Sequence, residues 1–411
     1  MKKLQIGLLP KILIAIVAGI VCSLFLPEWA VRIFLTFNSV FGNFLGMFIP
    51  LLIIGLIAPA IADLGKGAGR LLLITIAIAY LSTILAGFFS YFTCRATYPF
   101  LLGSSVKALG EMDMSGSLKP YFTIEMPAFI SVTTALVFAF LLGLGMSLIK
   151  GKAFYGVMRD FREIIEAVIA RFIIPILPVY IFGIFLQLGA EGNVGPVLGT
   201  FAKIIVIIIV MHVTVLLLQF LIAGAIARKN PFRALGTMLS AYVTALGTQS
   251  SAATIPVTLA SAKKNGVSGP VADFVIPLCA TIHMPCSILK ITACAYAISL
   301  GMGLATDPGL YVGFVMMLAI TMVAAPGVPG GAIMASLGLL SSMLGFDANM
   351  QGLMIALYIA MDSFGTAGNV TGDGAIALIM DRIAARLHGS VPDVPDGVTN
   401  EVEMDQNYAR H

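Results

Sequence analysis

A chain of 411 residues that is 59% hydrophobic and only 11% charged, with a mean hydropathy of +1.01, does not have water as its main solvent, since soluble domains carry charge at about a quarter of their positions. Its net charge of +4 is spread over short loops and helix ends rather than gathered into one basic patch interleaved with aromatics, which excludes nucleic acid as a partner. The five cysteines (Cys22, Cys94, Cys279, Cys286 and Cys294) lie in or beside apolar runs without framework or ligand spacing, which excludes a disulfide scaffold and a zinc site and leaves them as packing residues.

Lys2 and Lys3 precede the first apolar run, but no clean small-residue cleavage site follows it. The run is therefore read as a retained span rather than a signal peptide. A helical span needs about 20 mostly apolar residues. Runs of that length at Leu8 to Leu26, Ile33 to Ala62, Leu71 to Thr93, Met126 to Ile149, Phe172 to Ala190 and Ile204 to Ala227 predict six ordinary spans. Basic residues collect on alternate sides: Lys66 and Arg70, then Lys150, Lys152, Arg159 and Arg162, then Arg228, Lys229 and Arg233. The positive-inside rule places those loops and the N-terminus in the cytoplasm.

The second half breaks this alternation. Ala234 to Ala262 is a 29-residue stretch without a charge, yet Arg233 lies at one end and Lys263 and Lys264 at the other, so both ends are cytoplasmic and the chain enters and returns. Its midpoint, Gly247-Thr248-Gln249-Ser250-Ser251, is a polar turn that lipid would not tolerate unless protein or a wet cavity covered its backbone. Pro308 to Phe346 repeats the theme with 39 uncharged residues centred on Pro326-Gly327-Val328-Pro329-Gly330-Gly331, where proline and glycine together interrupt the helix. A span from Val271 to Leu304 separates the two hairpins, so the second enters from outside. A last span runs from about Gly352 to Met380, and the polar tail after Arg386 reads as disordered. The predicted fold is an all-α integral membrane protein with eight transmembrane helices and two re-entrant helical hairpins in an inverted repeat. Interrupted helices in corresponding positions point to a transporter's midplane site.

Within the last span, Asp362, Thr366, Asn369 and Asp373 stand at offsets of 0, 4, 7 and 11, one narrow stripe at about 100° per residue. Ionisable residues at membrane depth are costly and by default mark a substrate or ion path. In the preceding span, Pro285 removes a helical donor and should free carbonyls for a cation, and Lys290 lies too deep to snorkel, so it should face a carboxylate in the core. His283 reads equally well as a satisfied core histidine or as a proton or ion ligand, and His212 reads as structural. Asp362 and Asp373 share one helix about 16 Å apart, which excludes a protease dyad; no catalytic residues are expected.

These residues resemble the dicarboxylate/amino acid:cation symporter family. The resemblance rests on Met47 to Pro50, Asp63-Leu-Gly-Lys-Gly-Ala-Gly-Arg70, Asn230-Pro-Phe-Arg233, Gln249-Ser-Ser-Ala-Ala-Thr-Ile-Pro256, Gly327-Val-Pro-Gly330 and Asn369-Val-Thr-Gly-Asp373, all in the family's order. It implies a homotrimer in the cell inner membrane, surrounded by lipid. A scaffold would come from about 1–70 and 126–200, a mobile transport domain from about 71–95 and 201–385, and a cytoplasmic tail from 387–411. It also implies no cofactor beyond a coupling ion, sodium or a proton. By that resemblance Asp362 binds a substrate amino group and Thr366 supports it. Asn369 takes the substrate carboxylate with Ser250 and Ser251, while Gly327 and Val328 belong to the extracellular gate. Asp373 and Asn369 share a sodium ion with carbonyls near Ala280 and His283, and Tyr80 and Thr83 lie near another sodium site.

The departures from the family are informative. Gly365 and Gln249 stand where acidic amino acid carriers have arginine, so an acidic side chain would find no obvious cation. Because discrimination depends on a partner for each buried charge, the expected substrate is a small neutral amino acid, hydroxylated ones included, with proton-coupled and C4-dicarboxylate or acidic amino acid carriers as the alternatives. The stretch His283-Met-Pro-Cys-Ser287 replaces Asn-Met-Asp-Gly-Thr, and Lys290 has no family counterpart. A fixed ammonium or protonated histidine in place of one bound sodium would lower the number of coupled ions.

Overall fold

Apolar runs interrupted by proline fold here into helices that stack without a single strand among the residues described, 8–64, 70–103, 118–192, 194–323, 325 and 329–386 of a computed structural model. The chain runs α1 (Leu8–Ser23), α2 (Glu28–Leu64), α3 (Arg70–Leu101), α4 (Val132–Leu148), α5 (Ala153–Val168), α6 (Ile174–Ala190), α7 (Val194–Ala227), α8 (Pro231–Thr248), α9 (Ser251–Lys264), α10 (Gly269–Ile282), α11 (Pro285–Gly301), α12 (Pro308–Val323), α13 (Gly331–Leu344), α14 (Ala348–Ala360) and α15 (Asp362–Arg386). The expected tail 387–411 and the gate residues Gly327 and Val328 lie outside the described residues.

Among the described residues, five helices are long and apolar enough to cross a bilayer: Glu28–Ala62, Arg70–Leu101, Ala153–Ala190, Val197–Ala227 and Gly269–Gly301. A sixth is formed if α14 and α15, bent by 59° at Met361, count as one span. Side chains such as Leu24, Phe100 and Leu148 stand more than four-fifths exposed. On a multi-pass membrane protein that surface meets hydrocarbon rather than water.

The sequence boundaries hold where caps are strong and move where they are not. α4 starts at Val132, later than the predicted Met126, because the Ser131 hydroxyl accepts the Thr134 N–H at 3.1 Å and satisfies an orphan donor of the first turn. The predicted loop holding Arg159 and Arg162 is instead the amphipathic α5, with side-chain pairs Arg159–Glu163 (3.8 Å) and Arg162–Glu166 (2.8 Å) one turn apart. It continues into α6 through a five-residue π-helical stretch, Ile169–Ile173.

α8 and α9 form a tight antiparallel hairpin. Ser240 Oγ meets Ser261 Oγ at 2.8 Å and Asn265 Nδ2 donates to the Ala234 carbonyl at 2.9 Å. Asn230 caps the hairpin's entry by accepting the Arg233 N–H at 3.0 Å, and Ser250 caps α9 by accepting the Ala253 N–H at 3.3 Å. The turn residue Gln249 has φ 54°, a left-handed conformation unusual for a residue with a Cβ. α12 and α13 pack on one another as a second helical pair.

The predicted span from Val271 to Leu304 is broken into α10 and α11, as Pro285 requires. His283 and Met284 are non-helical, and the Met284 N–H, which has lost its helical acceptor, donates to Thr83 Oγ1 at 3.2 Å. The predicted span from Gly352 to Met380 is also broken, at Met361, where the Met361 N–H turns back to the Tyr358 carbonyl at 3.1 Å.

Close helix approach elsewhere depends on small residues. A Cβ added at Gly19 would fall 2.7 Å from the Phe182 carbonyl oxygen, and backbone cannot give way as a flexible side chain can. Gly19→Val should therefore separate α1 from α6 and cost about 1–3 kcal/mol, as overpacking generally does. The expected result is a drop of several degrees in the apparent melting temperature of the detergent-solubilised protein; an unchanged melting curve would mean that the contact is slack.

Candidate functional site

The non-helical step before α11 and the start of α15 bring two stretches of chain together antiparallel. Along one of them Gly365, Gly368 and Gly372 present no side chain. Along the other His283, Cys286 and Lys290 fill the space, each facing one glycine: Lys290 faces Gly365, Cys286 faces Gly368 and His283 faces Gly372. Small residues of this kind let membrane helices approach closely enough for polar groups to meet across them.

Every polar member of the α15 stripe that carries a charge or an amide finds its partner across this seam. At one end, Lys290 Nζ lies 3.1 Å from Asp362 Oδ1 and 3.4 Å from the Met361 carbonyl, and 3.5 Å from the centroid of the Tyr358 ring. The other carboxylate oxygen of Asp362 accepts the N–H of Gly330 at 2.8 Å. Gly330 is the residue before α13 and has φ 75°, a conformation suited to glycine. In the middle, Asn369 Oδ1 accepts the Cys286 N–H and Asn369 Nδ2 donates to Ser287 Oγ, both at 2.9 Å. At the far end, His283 Nδ1 lies 2.9 Å from Asp373 Oδ1. All of these side chains are buried: Lys290 is 0% exposed, His283 and Asp373 1%, Asn369 4% and Asp362 5%.

The hydrogen bonds of the far end suit an ionised Asp373 beside a neutral His283. An ionised carboxylate only accepts, so His283 Nδ1 donates to Asp373. The Gln219 amide donates to Ser82 Oγ at 2.9 Å, and Ser82 Oγ lies 3.0 Å from His283 Nε2, so the hydroxyl can donate onward to a neutral ring. The cluster then carries one net negative charge. Asp373 Oδ2 and Gln219 Oε1 are both buried and have no hydrogen-bond partner among the described residues. Two unsatisfied buried oxygens beside an uncompensated carboxylate are suited to a hard cation, which takes oxygen ligands.

The remaining predicted residues are distributed around this seam. Thr366, 9% exposed, lies on α15 between Asp362 and Asn369. Ser250 and Ser251 stand at the tip of the first hairpin, which reaches α15 where Ala245 packs on Ala367 and Val370. Ala280 is buried near the end of α10. Thr83 holds the break before α11 rather than lying in the acidic cluster. Tyr80 is not in that cluster either: it lines an apolar cavity of 260 Å³ with Ile61, Ile282, Ile320 and Val323. Ser82 and Gln219 went unnoticed in the sequence, although each interrupts an apolar run. They form the polar part of a 390 Å³ cavity otherwise lined by residues such as Leu81, Phe89, Leu218 and Ile222. His212, read as structural, donates from Nε2 to the Cys286 carbonyl at 3.0 Å and so supports the seam from behind.

Comparison with known proteins gives a consistent picture. The model of the sodium:dicarboxylate symporter family matches residues 8–383. The chain is 26% identical over 393 residues to the serine/threonine transporter SstT of Acinetobacter baumannii (strain AYE), covering 92% of this chain and 97% of that one. It is 29% identical over 303 residues to excitatory amino acid transporter 1 of Ambystoma tigrinum, covering 69% of this chain and 54% of the relative. The human excitatory amino acid transporter 1 is 28% identical over 262 residues, which is 61% of this chain and 47% of the relative.

Proposed function

Because this chain belongs to the sodium:dicarboxylate symporter family, and is thus a transporter and not an enzyme, we propose that it is a secondary active symporter of a small neutral amino acid, of the serine or threonine kind. The observation that carries this reading is the cancellation of charge at the α11–α15 seam: Asp362 and Lys290 neutralise one another, and among the described residues no further cation stands at Gly365. A zwitterion brings one charge of each sign to a pocket of zero net charge. An acidic side chain would bring a third charge with no partner, and a buried unpaired charge is strongly disfavoured. The full-length relatives named as serine/threonine transporters agree with this choice.

In this reading the substrate ammonium binds Asp362 with support from Thr366, and its carboxylate takes donors from Asn369 and the first-hairpin tip at Ser250 and Ser251. The coupling ion is sodium, held by Asp373 Oδ2 with Asn369 one turn away; Gln219 Oε1 adds a further oxygen. With Pro285 and His283 in place of other oxygen donors, fewer ions are coupled than in relatives that keep them. Access alternates by an elevator movement of the third, sixth, seventh and eighth spans with both hairpins, re-entrant from opposite sides, against a trimeric scaffold of the other spans in the cell inner membrane.

A second reading has one observation in its favour. Lys290 Nζ lies 2.7 Å from the position a Cβ would take on residue 365, so a cation does stand in the region where a substrate side-chain carboxylate could reach it. Uptake of labelled L-serine, L-threonine, L-alanine, L-aspartate and succinate into proteoliposomes, with and without an inward sodium gradient, separates the two. The expected result is sodium-driven accumulation of serine or threonine at least tenfold above aspartate and succinate. Preference for either acid would replace the first reading with the second, and sodium-independent accumulation would remove sodium as the coupling ion.

A further inference from the structure

The candidate pocket is closed upon itself. Both oxygens of Asp362 are engaged, one by Lys290 Nζ at 3.1 Å and the other by the Gly330 N–H at 2.8 Å. Asp362 is thus a bridge between a tethered ammonium on α11 and the residue that opens α13 of the second hairpin. A solute ammonium cannot reach this carboxylate while Lys290 holds it. Conversely, if Lys290 were absent, the hairpin could close over an empty pocket only by burying a bare carboxylate, a large penalty in a low-dielectric interior.

We propose that Lys290 acts as a built-in substitute for the solute's ammonium. When the pocket is empty, its Nζ neutralises Asp362, Gly330 docks on the same carboxylate, and the second hairpin closes without cargo, which permits the unloaded carrier to return. When solute arrives, its ammonium displaces Nζ from Asp362. Gly365 makes this geometry accessible, since a Cβ there would lie 2.7 Å from Nζ and 3.2 Å from Lys290 Cε. The seat on Tyr358, with Nζ 3.5 Å from the ring centroid, gives the ammonium a second attractive surface beside the carboxylate. The consequence is functional: the protein accumulates its solute in net uptake and is not restricted to one-for-one exchange.

This inference rests on the pocket assignment made above, and two measurements keep the two apart. The first needs no solute. A cysteine placed by Ala332→Cys, on the first turn of the second hairpin's α13 and 7% exposed, is alkylated in solute-free protein, with labelling at that site followed by mass spectrometry. Adding Lys290→Gln should raise its rate at least tenfold because the empty hairpin no longer closes; an unchanged rate overturns the proposal. The second compares net uptake of labelled L-serine into empty vesicles with exchange against vesicles preloaded with L-serine. Lys290→Gln should lower the ratio of net uptake to exchange at least tenfold. Gly365→Ala, which keeps every charge but displaces Nζ, should lower it in the same direction and serves if the lysine variant does not fold. An unchanged ratio in Gly365→Ala, or equal loss of both modes in Lys290→Gln with normal expression and melting temperature, overturns the proposal. If the unaltered protein moves L-serine in neither mode, the substrate reading fails, and the alkylation rates alone decide the role of Lys290.

Discussion

Asp362→Asn is expected to abolish uptake, with at least a hundredfold fall in initial rate, and to destabilise the protein as well. The stability effect follows from the pair itself: the change leaves the Lys290 ammonium, 0% exposed, without its counter-charge, beside the neutral Met361 carbonyl and the Tyr358 ring. Breaking one side of a buried ion pair typically costs about 3–5 kcal/mol. The amide has a single oxygen, so it cannot accept from both Lys290 Nζ and the Gly330 N–H as the carboxylate does. The double variant Asp362→Asn with Lys290→Gln separates the two roles, because replacing both members of a buried pair by neutral groups is often nearly free of cost. Melting temperature should recover toward that of the unaltered protein, while uptake should not. If uptake recovered together with stability, Asp362 would be a structural counter-charge and would not bind substrate.

That experiment concerns a contact only half legible in the sequence. The acids of α15 could be read because charge at membrane depth is rare and because offsets of 0, 4, 7 and 11 leave them on one face. The breaks could be read because proline removes a donor: Pro285 begins α11, and α12, ending at Val323, and α13, beginning at Gly331, are separate helices. Lys290 was expected to face a carboxylate, but which one depends on the register of two antiparallel segments, and register is a tertiary property. A signal for it was present. Gly365, Gly368 and Gly372 recur about once per helical turn, as do Lys290, Cys286 and His283 taken in reverse, and these are the residues that meet.

Other features had weaker signals. Ser82 and Gln219 are single polar residues in long apolar runs, and nothing local indicates that they meet each other and His283 at 2.9 and 3.0 Å. The bend at Met361 has no proline or glycine at that point to announce it. The π-helical stretch Ile169–Ile173 likewise has no breaker within it. Tyr80, placed near a second ion site by resemblance, lines an apolar cavity with Ile61 and Ile282.

The acidic cluster around Asp373 is the other place where one atom should decide activity. Asp373→Asn is expected to reduce sodium-driven uptake at least a hundredfold at moderate sodium, with half-saturating sodium rising tenfold or more. The reason is electrostatic. With a neutral His283 donating from Nδ1, Asp373 supplies the net charge of its cluster, and its Oδ2 and Gln219 Oε1 are the buried oxygens of that cluster without hydrogen bonds among the described residues. The amide keeps the size and one oxygen but removes the charge that attracts the ion. Gln219→Leu removes the second unsatisfied oxygen without altering any charge, so it should raise half-saturating sodium by a smaller factor and leave the maximal rate nearer to normal. Sodium dependence in proteoliposomes measures both. Should Asp373→Asn retain the original sodium response, the negative cluster would be a structural relay from Asp373 through His283 and Ser82 to Gln219, and the coupling ion would have to bind elsewhere.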